Sequence, residues 1–346
     1  MQTFTLDPML DRRWDDLVAC HPLASVFHHH GWLTALARTY GYRPIVWTTT
    51  PPGQRLLDGI AFCEVKSRIT GNRLVSLPFA DHAAPLLGES GNFSDLTGWM
   101  QHELRERNWR YIELRPLAGE ALTCGPLTAS KSFWFHTLDL TVSLEHIFRK
   151  MDKNNIQRRV QRAERAGLEY EKGCAAEILN DFYRLLMITR RRHQLLPQPL
   201  AWFRNLIASL GGCVEIRVAR KDGIPVAALF TLRHRGVVVY KYGCSDERFH
   251  HLGGMPFLFW KLIEESKAAG AEQIDFGRTD LDNDGLIRFK DQFGTVRRQI
   301  TYLRYPVSAP GKWLSLSARS VPRRLFSVLP DALASRAGRL VYRHLG

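Results

Sequence analysis

The sequence is short of several things. Its six cysteines, at 20, 63, 124, 174, 213 and 244, include no C-x-x-C pair. That spacing supports neither a zinc site nor a disulfide framework, and it points to a reducing compartment. No apolar run approaches the roughly 18 residues that span a bilayer. The first residues, MQTFTLDPML, lack the basic-then-apolar form of a secretory leader. The expectation is a protein made and used in the cytoplasm. Acid is scarce as well: 34 Asp and Glu face 48 Lys and Arg, a net charge of +14. Such an excess suits an anionic partner, and nucleic acid, nucleotide-linked substrates and a membrane surface all qualify.

What is present describes a soluble globular protein. The chain has 346 residues, 45% of them hydrophobic and 24% charged, enough for two domains that each bury a core. DPMLDRRWDDLVACHP and HHHGWLTALARTYG read as helices, the second ending at Gly41. RPIVWTTT, GIAFCEVKS and RLVSLPF read as strands, followed by the helix NFSDLTGWMQHELRERN and the strand WRYIELRP. The second half repeats this grammar. The helix AEILNDFYRLLMITRRRHQ precedes strands in VEIRVAR, PVAALFTLRH and VVVYKYGCS, then the helix PFLFWKLIEESKAAG and the strand QIDFGRT. Ile112-Glu113-Leu114 and Ile274-Asp275-Phe276 occupy the same slot, which implies a tandem duplication of one mixed α/β unit.

Two stretches are strongly basic. From Arg149 to Arg165 there are seven basic residues and two acidic ones, with Arg158, Arg162 and Arg165 at helical spacing on one face. They make either a cradle for phosphates or a solvated helix face. After Pro306 comes a basic, apolar-striped tail over 307–346. It fits an interfacial helix on the inner face of an anionic membrane, or a helix packed back on the body. Pro310, Pro322 and Pro330 break any long amphipathic helix and favour packing.

DLDNDGLIRFKD, from Asp280, nearly spells a calcium loop: Asp280, Asp282, Asp284 and Gly285 match, but position 12 is Asp291. A strand-like segment runs into it where a helix is required, so a polar turn explains it better. His28-His29-His30 are consecutive and cannot face one ion from a helix, and they read as a helix start. No metal site is expected.

Three pieces carry a family resemblance: HTLDLTVSLEHIFRKMDKNNIQRRVQRAERAGLEYEKG, VYKYGCSD and IDFGRTDLDNDGLIRFKDQFG. Their order and spacing resemble the Fem family of peptidoglycan-bridge aminoacyltransferases, over nearly the whole chain to Pro306. The resemblance implies an α/β (α+β) fold of two tandem GNAT-like acyltransferase domains, each a mixed sheet flanked by helices. The boundaries would be 1–145 and 146–306, with 307–346 as the tail. It implies transfer of an aminoacyl group from aminoacyl-tRNA to an amine of a nucleotide- or lipid-linked cell-wall or exopolysaccharide precursor. Both substrates are polyanions. No resident cofactor is then needed, since the tRNA ester is already activated.

The resemblance also assigns residues. Lys290, in the Phe-Lys signature, would contact the tRNA 3′ end or the oxyanion, with Phe289 beside it. Tyr240 and Tyr242 lie on one face of a regular strand, with Lys241 opposite, and one Tyr would touch the acceptor. Arg191 and Arg192 fall where the family grips diphosphate, with Arg158 and Arg162 assisting. Where relatives carry Asp-Pro at the end of the first domain's last strand, this chain has Arg115-Pro116. Glu113 is the substitute base, and Asp275 is its counterpart in the second domain, acting as an acid or orienting Arg278. Two alternatives remain. One is an acyl-CoA-dependent N-acyltransferase, although RFHHLGGMPF fits the usual pyrophosphate loop poorly. The other is a non-catalytic binding protein.

Overall fold

The computed structural model describes residues 2–88, 93–117, 127–306 and 331–345. The first unit runs β1 (Phe4–Leu6), α1 (Arg13–Cys20), α2 (His30–Tyr40), β2 (Arg43–Thr48), β3 (Ile60–Val65), β4 (Arg73–Val75), α3 (Phe93–Glu106) and β5 (Ile112–Leu114). Then come β6 (Thr128–Asp139), α4 (Leu144–Lys150), α5 (Arg158–Arg165), β7 (Glu169–Gly173), α6 (Ala176–Arg192) and α7 (Leu200–Leu210). The remainder is β8 (Val214–Lys221), β9 (Ile224–His234), β10 (Val237–Ser245), α8 (Gly254–Ala268), β11 (Gln273–Asp280), α9 (Asp284–Asp291), β12 (Val296–Tyr305) and α10 (Asp331–Leu345).

The duplicated grammar is visible in the pairing. β2, β3 and β4 are antiparallel, and β5 returns parallel to β4 after α3. β8, β9 and β10 are antiparallel, and β11 returns parallel to β10 after α8. Each return is a crossover through a helix, as parallel neighbours require. The two units share one twelve-stranded sheet in the order β1-β2-β3-β4-β5-β12-β6-β11-β10-β9-β8-β7. β6 lies before the boundary expected at 145, yet it pairs with β11 and β12. β12 in turn pairs with β5 of the first unit.

Apolar side chains sort onto both faces of the sheet. One core runs across both units and joins α1, α2, α6 and α7 through Trp14, Trp32, Phe182, Trp202 and Phe203. On the opposite face, a core around Phe257, Phe259, Phe276 and Phe293 lies under α4, α5, α8 and α9. A third, with Trp47, Phe62, Met100 and Trp109, lies under α3. Among the described residues, no helix is long and apolar enough to cross a membrane. Residues 307–330, with Pro310, Pro322 and Pro330, lie outside the described residues.

Candidate functional site: a splayed cleft and a buried charge cluster

β10 and β11 pair only where Val237–Val239 meet Gln273–Asp275. Beyond that point β10 follows β9 to Ser245, while β11 follows β6 to Asp280. The strands part, and a cavity of about 780 Å³ lies against the end of β10, beside the start of α8 and α9. Gly243, Cys244 and Ser245 of β10 line it, with Gly253 to Pro256 at the start of α8 and Gly285, Leu286 and Phe289 of α9. Cationic and imidazole groups, Arg159, Arg192, His193 and His250, complete the lining.

Two sets of backbone donors face this space. No side chain caps α8, so the first N–H groups of that helix are left to whatever occupies the cavity. They carry the positive end of the helix dipole and suit an anion. In β10 the Ser245 N–H turns away from β9 to Thr189 Oγ1, 3.0 Å away. Strand alternation sends the Gly243 N–H the same way, into the split. A Cβ at Gly243 would lie 2.3 Å from the Tyr240 hydroxyl, so only glycine leaves that hydroxyl its place against the lining. Arg192 Nη1 donates to His250 Nε2 (3.2 Å), and Ser245 Oγ lies 2.9 Å from the same nitrogen. Arginine cannot accept, so His250 is neutral with its proton on Nδ1. Burial and then Arg192 lower its pKa, which agrees with that state.

Next to the cleft lies a buried charge cluster built on a bulge in β11. The pairing register with β6 shifts between Asp275 and Arg278. Gly277 there has φ +71°, and its N–H donates to Asp275 Oδ1 at 2.6 Å. A Cβ on Gly277 would come within 3.2 Å of Asp81 Oδ2, so both the backbone angle and the space require glycine. Lys290, in the last turn of α9, donates to the Gly277 and Arg278 carbonyls at 2.9 and 3.1 Å. Asp81 and His82 arrive from the loop after β4. Lys241 Nζ donates to Asp81 Oδ2 at 2.7 Å, and His82 Nε2 lies 2.9 Å from Asp275 Oδ2. Burial lowers the Lys290 pKa to about 8, against the opposing pull of Asp81 and Asp275. Burial raises the Asp81 pKa, but Lys241 and Arg278 outweigh it and hold the carboxyl below its usual value.

The residues singled out from sequence divide into groups. Arg192 and Phe289 line the cleft, and Tyr240 stands behind Gly243 in its lining. Lys290, Asp275, Lys241 and Arg278 come together in the charge cluster, where Arg278 also stacks 4.1 Å over the Phe133 ring. Lys290 is only 2% exposed and does not line the cleft. Glu113 is apart from both groups. It is buried between Arg115 and Arg304, at 2.9 and 2.7 Å. Burial raises its pKa, but the two arginines outweigh that and keep it lowered, so it is a poor base. Arg158, Arg162 and Arg191 do not line the cleft; Arg162 reaches the His251 carbonyl at 3.3 Å.

One expectation is overturned. Tyr240 and Tyr242 do not share a face. A bulge in β10 pairs Tyr240 with Thr231 and Tyr242 with Phe230, leaving Lys241 as the extra residue. Tyr240 packs on Phe259 and Phe276. Tyr242 turns to the other core, on Phe203 and Phe230, and accepts from Trp202 Nε1 at 2.9 Å. Lys241 sits on the Tyr242 side, near the rings of Phe27, Trp32 and Tyr242. The calcium-like segment is explained by turn chemistry: Asn283 caps α9 by accepting from Leu286 N–H, and Asp280 pairs with Lys131.

Sequence reasoning missed Arg159, His193, Ser245 and His250 in the cleft, and Asp81 and His82 in the cluster. A π-helix over Lys153–Gln157 leads into α5, and a buried stripe runs through both, from Ile156 to Val160 and Ala163. That stripe fixes Arg159 beside the start of α8, where the Arg159 carbonyl crowds Gly253. The usable signal was the apolar stripe in α5 rather than the basic one.

Comparison with known proteins bears on the fold. Residues 150–291 match the acetyltransferase (GNAT) domain family. No curated protein matches the chain. The structure is similar to the crystal structure of FemX, with a TM-score of 0.70 at 14% identity, covering 88% of this chain and 97% of that one. It is similar to the C-terminal domain of a putative lysylphosphatidylglycerol synthetase from Agrobacterium fabrum (TM-score 0.56, 17% identity, 85% and 90% covered). A tandem GNAT protein from the clavulanic acid biosynthesis pathway is also similar (TM-score 0.56, 12% identity, 90% and 99% covered). The chain thus has a Fem-like fold of two GNAT-like units in tandem, and the match to the acetyltransferase (GNAT) domain lies in its second unit.

Proposed function

We propose that the protein transfers an aminoacyl group from aminoacyl-tRNA, in the cytoplasm, to an amine of a nucleotide- or lipid-linked cell-wall or exopolysaccharide precursor. The carrying observation is the cleft at the end of β10, with Arg159, Arg192 and the uncapped α8 terminus around it. A tRNA 3′ end offers phosphates to that cationic end and an ester carbonyl to the apolar end, at Leu286 and Phe289. The acceptor amine attacks the carbonyl in neutral form. The Gly243 N–H stabilises the tetrahedral oxyanion. The Tyr240 hydroxyl, its pKa pushed up by burial, stays protonated and supplies the proton that the departing ribose oxygen takes. Lys290 positions: it ties α9, and with it Leu286 and Phe289, to the β11 bulge. The proton that the attacking amine loses returns through solvent to the Tyr240 oxygen, which restores the donor.

A second reading, transfer from acyl-CoA, rests on the same uncapped helix start, which would hold a pyrophosphate equally well. One experiment separates them. The protein is incubated with cell-wall precursors and either charged total tRNA or acetyl-CoA, and product mass is read. The expected result is a gain that depends on tRNA and disappears after ribonuclease treatment. A gain with acetyl-CoA alone overturns the proposal.

A further inference from the structure

A second cationic surface lies outside the cleft, on α10 and the β3–β4 turn. α10 is seated by Ala334, Gly338 and Tyr342, all buried. Tyr342 Oη donates to the Leu196 carbonyl at 2.9 Å, and Tyr42 Oη donates to the Tyr342 carbonyl at 2.6 Å. The helix end is fastened to the turn: Arg73 Nη2 donates to the His344 carbonyl at 2.7 Å, and His344 Nδ1 lies 2.9 Å from Ser67 Oγ. These contacts fix which side of α10 faces solvent. Leu333, Arg336, Arg339, Leu340 and Arg343 are exposed together, on an arc of about 120° at 100° per residue.

The turn extends the same surface. Lys66, Arg68 and Ile69 are exposed, and with Arg343 and His344 they line a hollow of about 670 Å³ with no carboxylate in its lining. Lys66 has a partner in Glu64, at 3.5 Å. Arg68, Arg336, Arg339 and Arg343 form no ion pair among the described residues. Leu340 is 65% exposed, Leu333 49% and Ile69 44%, interleaved with these cations.

We infer that this face docks on an anionic lipid bilayer. The arginines match headgroup phosphates, and the exposed leucines and isoleucine reach the acyl boundary between them. A nucleic acid backbone would take the arginines but leave the aliphatic side chains in water. A second copy of the chain is repelled by the net charge of +14. The inference does not rest on the proposed reaction, because none of these residues lines the cleft.

The test is sedimentation of the full chain with vesicles of phosphatidylcholine alone, or phosphatidylcholine with phosphatidylglycerol, at low and high salt. Binding is expected only with phosphatidylglycerol, and it weakens with salt. Each arginine removed should lower the partition coefficient about fivefold, so R339A/R343A loses about 25-fold. L340S should lose at least about threefold at both salt levels. K66A/R68A, on the other element, reports the same loss independently of α10. The inference is overturned by equal binding to phosphatidylcholine alone or by variants that bind the vesicles like the wild type.

Discussion

Lys290 gives the sharpest physical test. The residue is 2% exposed, and its pKa is lowered from 10.5 to about 8. A lysine depressed on folding prefers its neutral form in the folded state. The unfolded chain therefore binds more protons between pH 8 and pH 10.5, and stability rises with pH across that window. At pH 7 the charged amine costs the fold about 3 kcal/mol, and at pH 9.5 about 1.5 kcal/mol remains. Other groups titrate in this range, including the buried thiols of Cys63 and Cys244, so the informative quantity is a difference. Lys290→Met keeps the length and the packing but removes the titration. It also leaves the Gly277 and Arg278 carbonyls without their donor, an offset that does not vary with pH. Urea unfolding of both proteins from pH 7 to 9.5 should show the wild type gaining about 2 kcal/mol relative to the variant. Parallel curves would refute the buried, bulge-bound amine. Lys290→Arg should not restore activity, because a guanidinium cannot occupy the same two-carbonyl site.

Other predictions follow from the cleft and the cluster. Tyr240→Phe should lower kcat about 100-fold with donor KM nearly unchanged, read by steady-state kinetics; a change confined to KM would exclude the proton-donor role. Arg159→Ala and Arg192→Ala should each raise the KM for the tRNA donor, and each should reduce the log–log salt slope of its binding by about one. Lys241→Met leaves the buried Asp81 carboxylate with only the longer Arg278 pair, at 3.7 Å, and should cost up to about 3 kcal/mol in chemical denaturation. Lys241→Met with Asp81→Asn should recover most of that loss, and failure to recover would mean that the pair is not what Lys241 supports.

Much of the fold was legible because its signals are local. Gly41 closes α2 in the left-handed conformation, and the strands of each unit follow their own alternation. The repeat of Ile112-Glu113-Leu114 in Ile274-Asp275-Phe276 marked the two parallel returns, β5 and β11. The site was less legible for three physical reasons. Period-two reasoning puts Tyr240 and Tyr242 together, and one extra residue in the ladder separates them by the thickness of the sheet. His82 meets Asp275 across 193 residues and Asp81 meets Lys241 across 160, contacts that no local pattern encodes. Among the lysines, the signature at Lys290 was readable, but its burial was not, because α9 turns Leu286 and Phe289 to the cleft instead.

The placement of β12 has a consequence for how the protein is made. β5 is three residues long, with β4 on one side and β12 on the other. Synthesis proceeds from the N-terminus, so β5 emerges from the ribosome long before Val296 is added. At ordinary elongation rates the gap is on the order of ten seconds or more. During that time the first unit presents an open strand edge, the kind that pairs with other chains. The nascent first unit is therefore the species most in need of a holding chaperone, and its sheet can be closed only after the second unit has been translated.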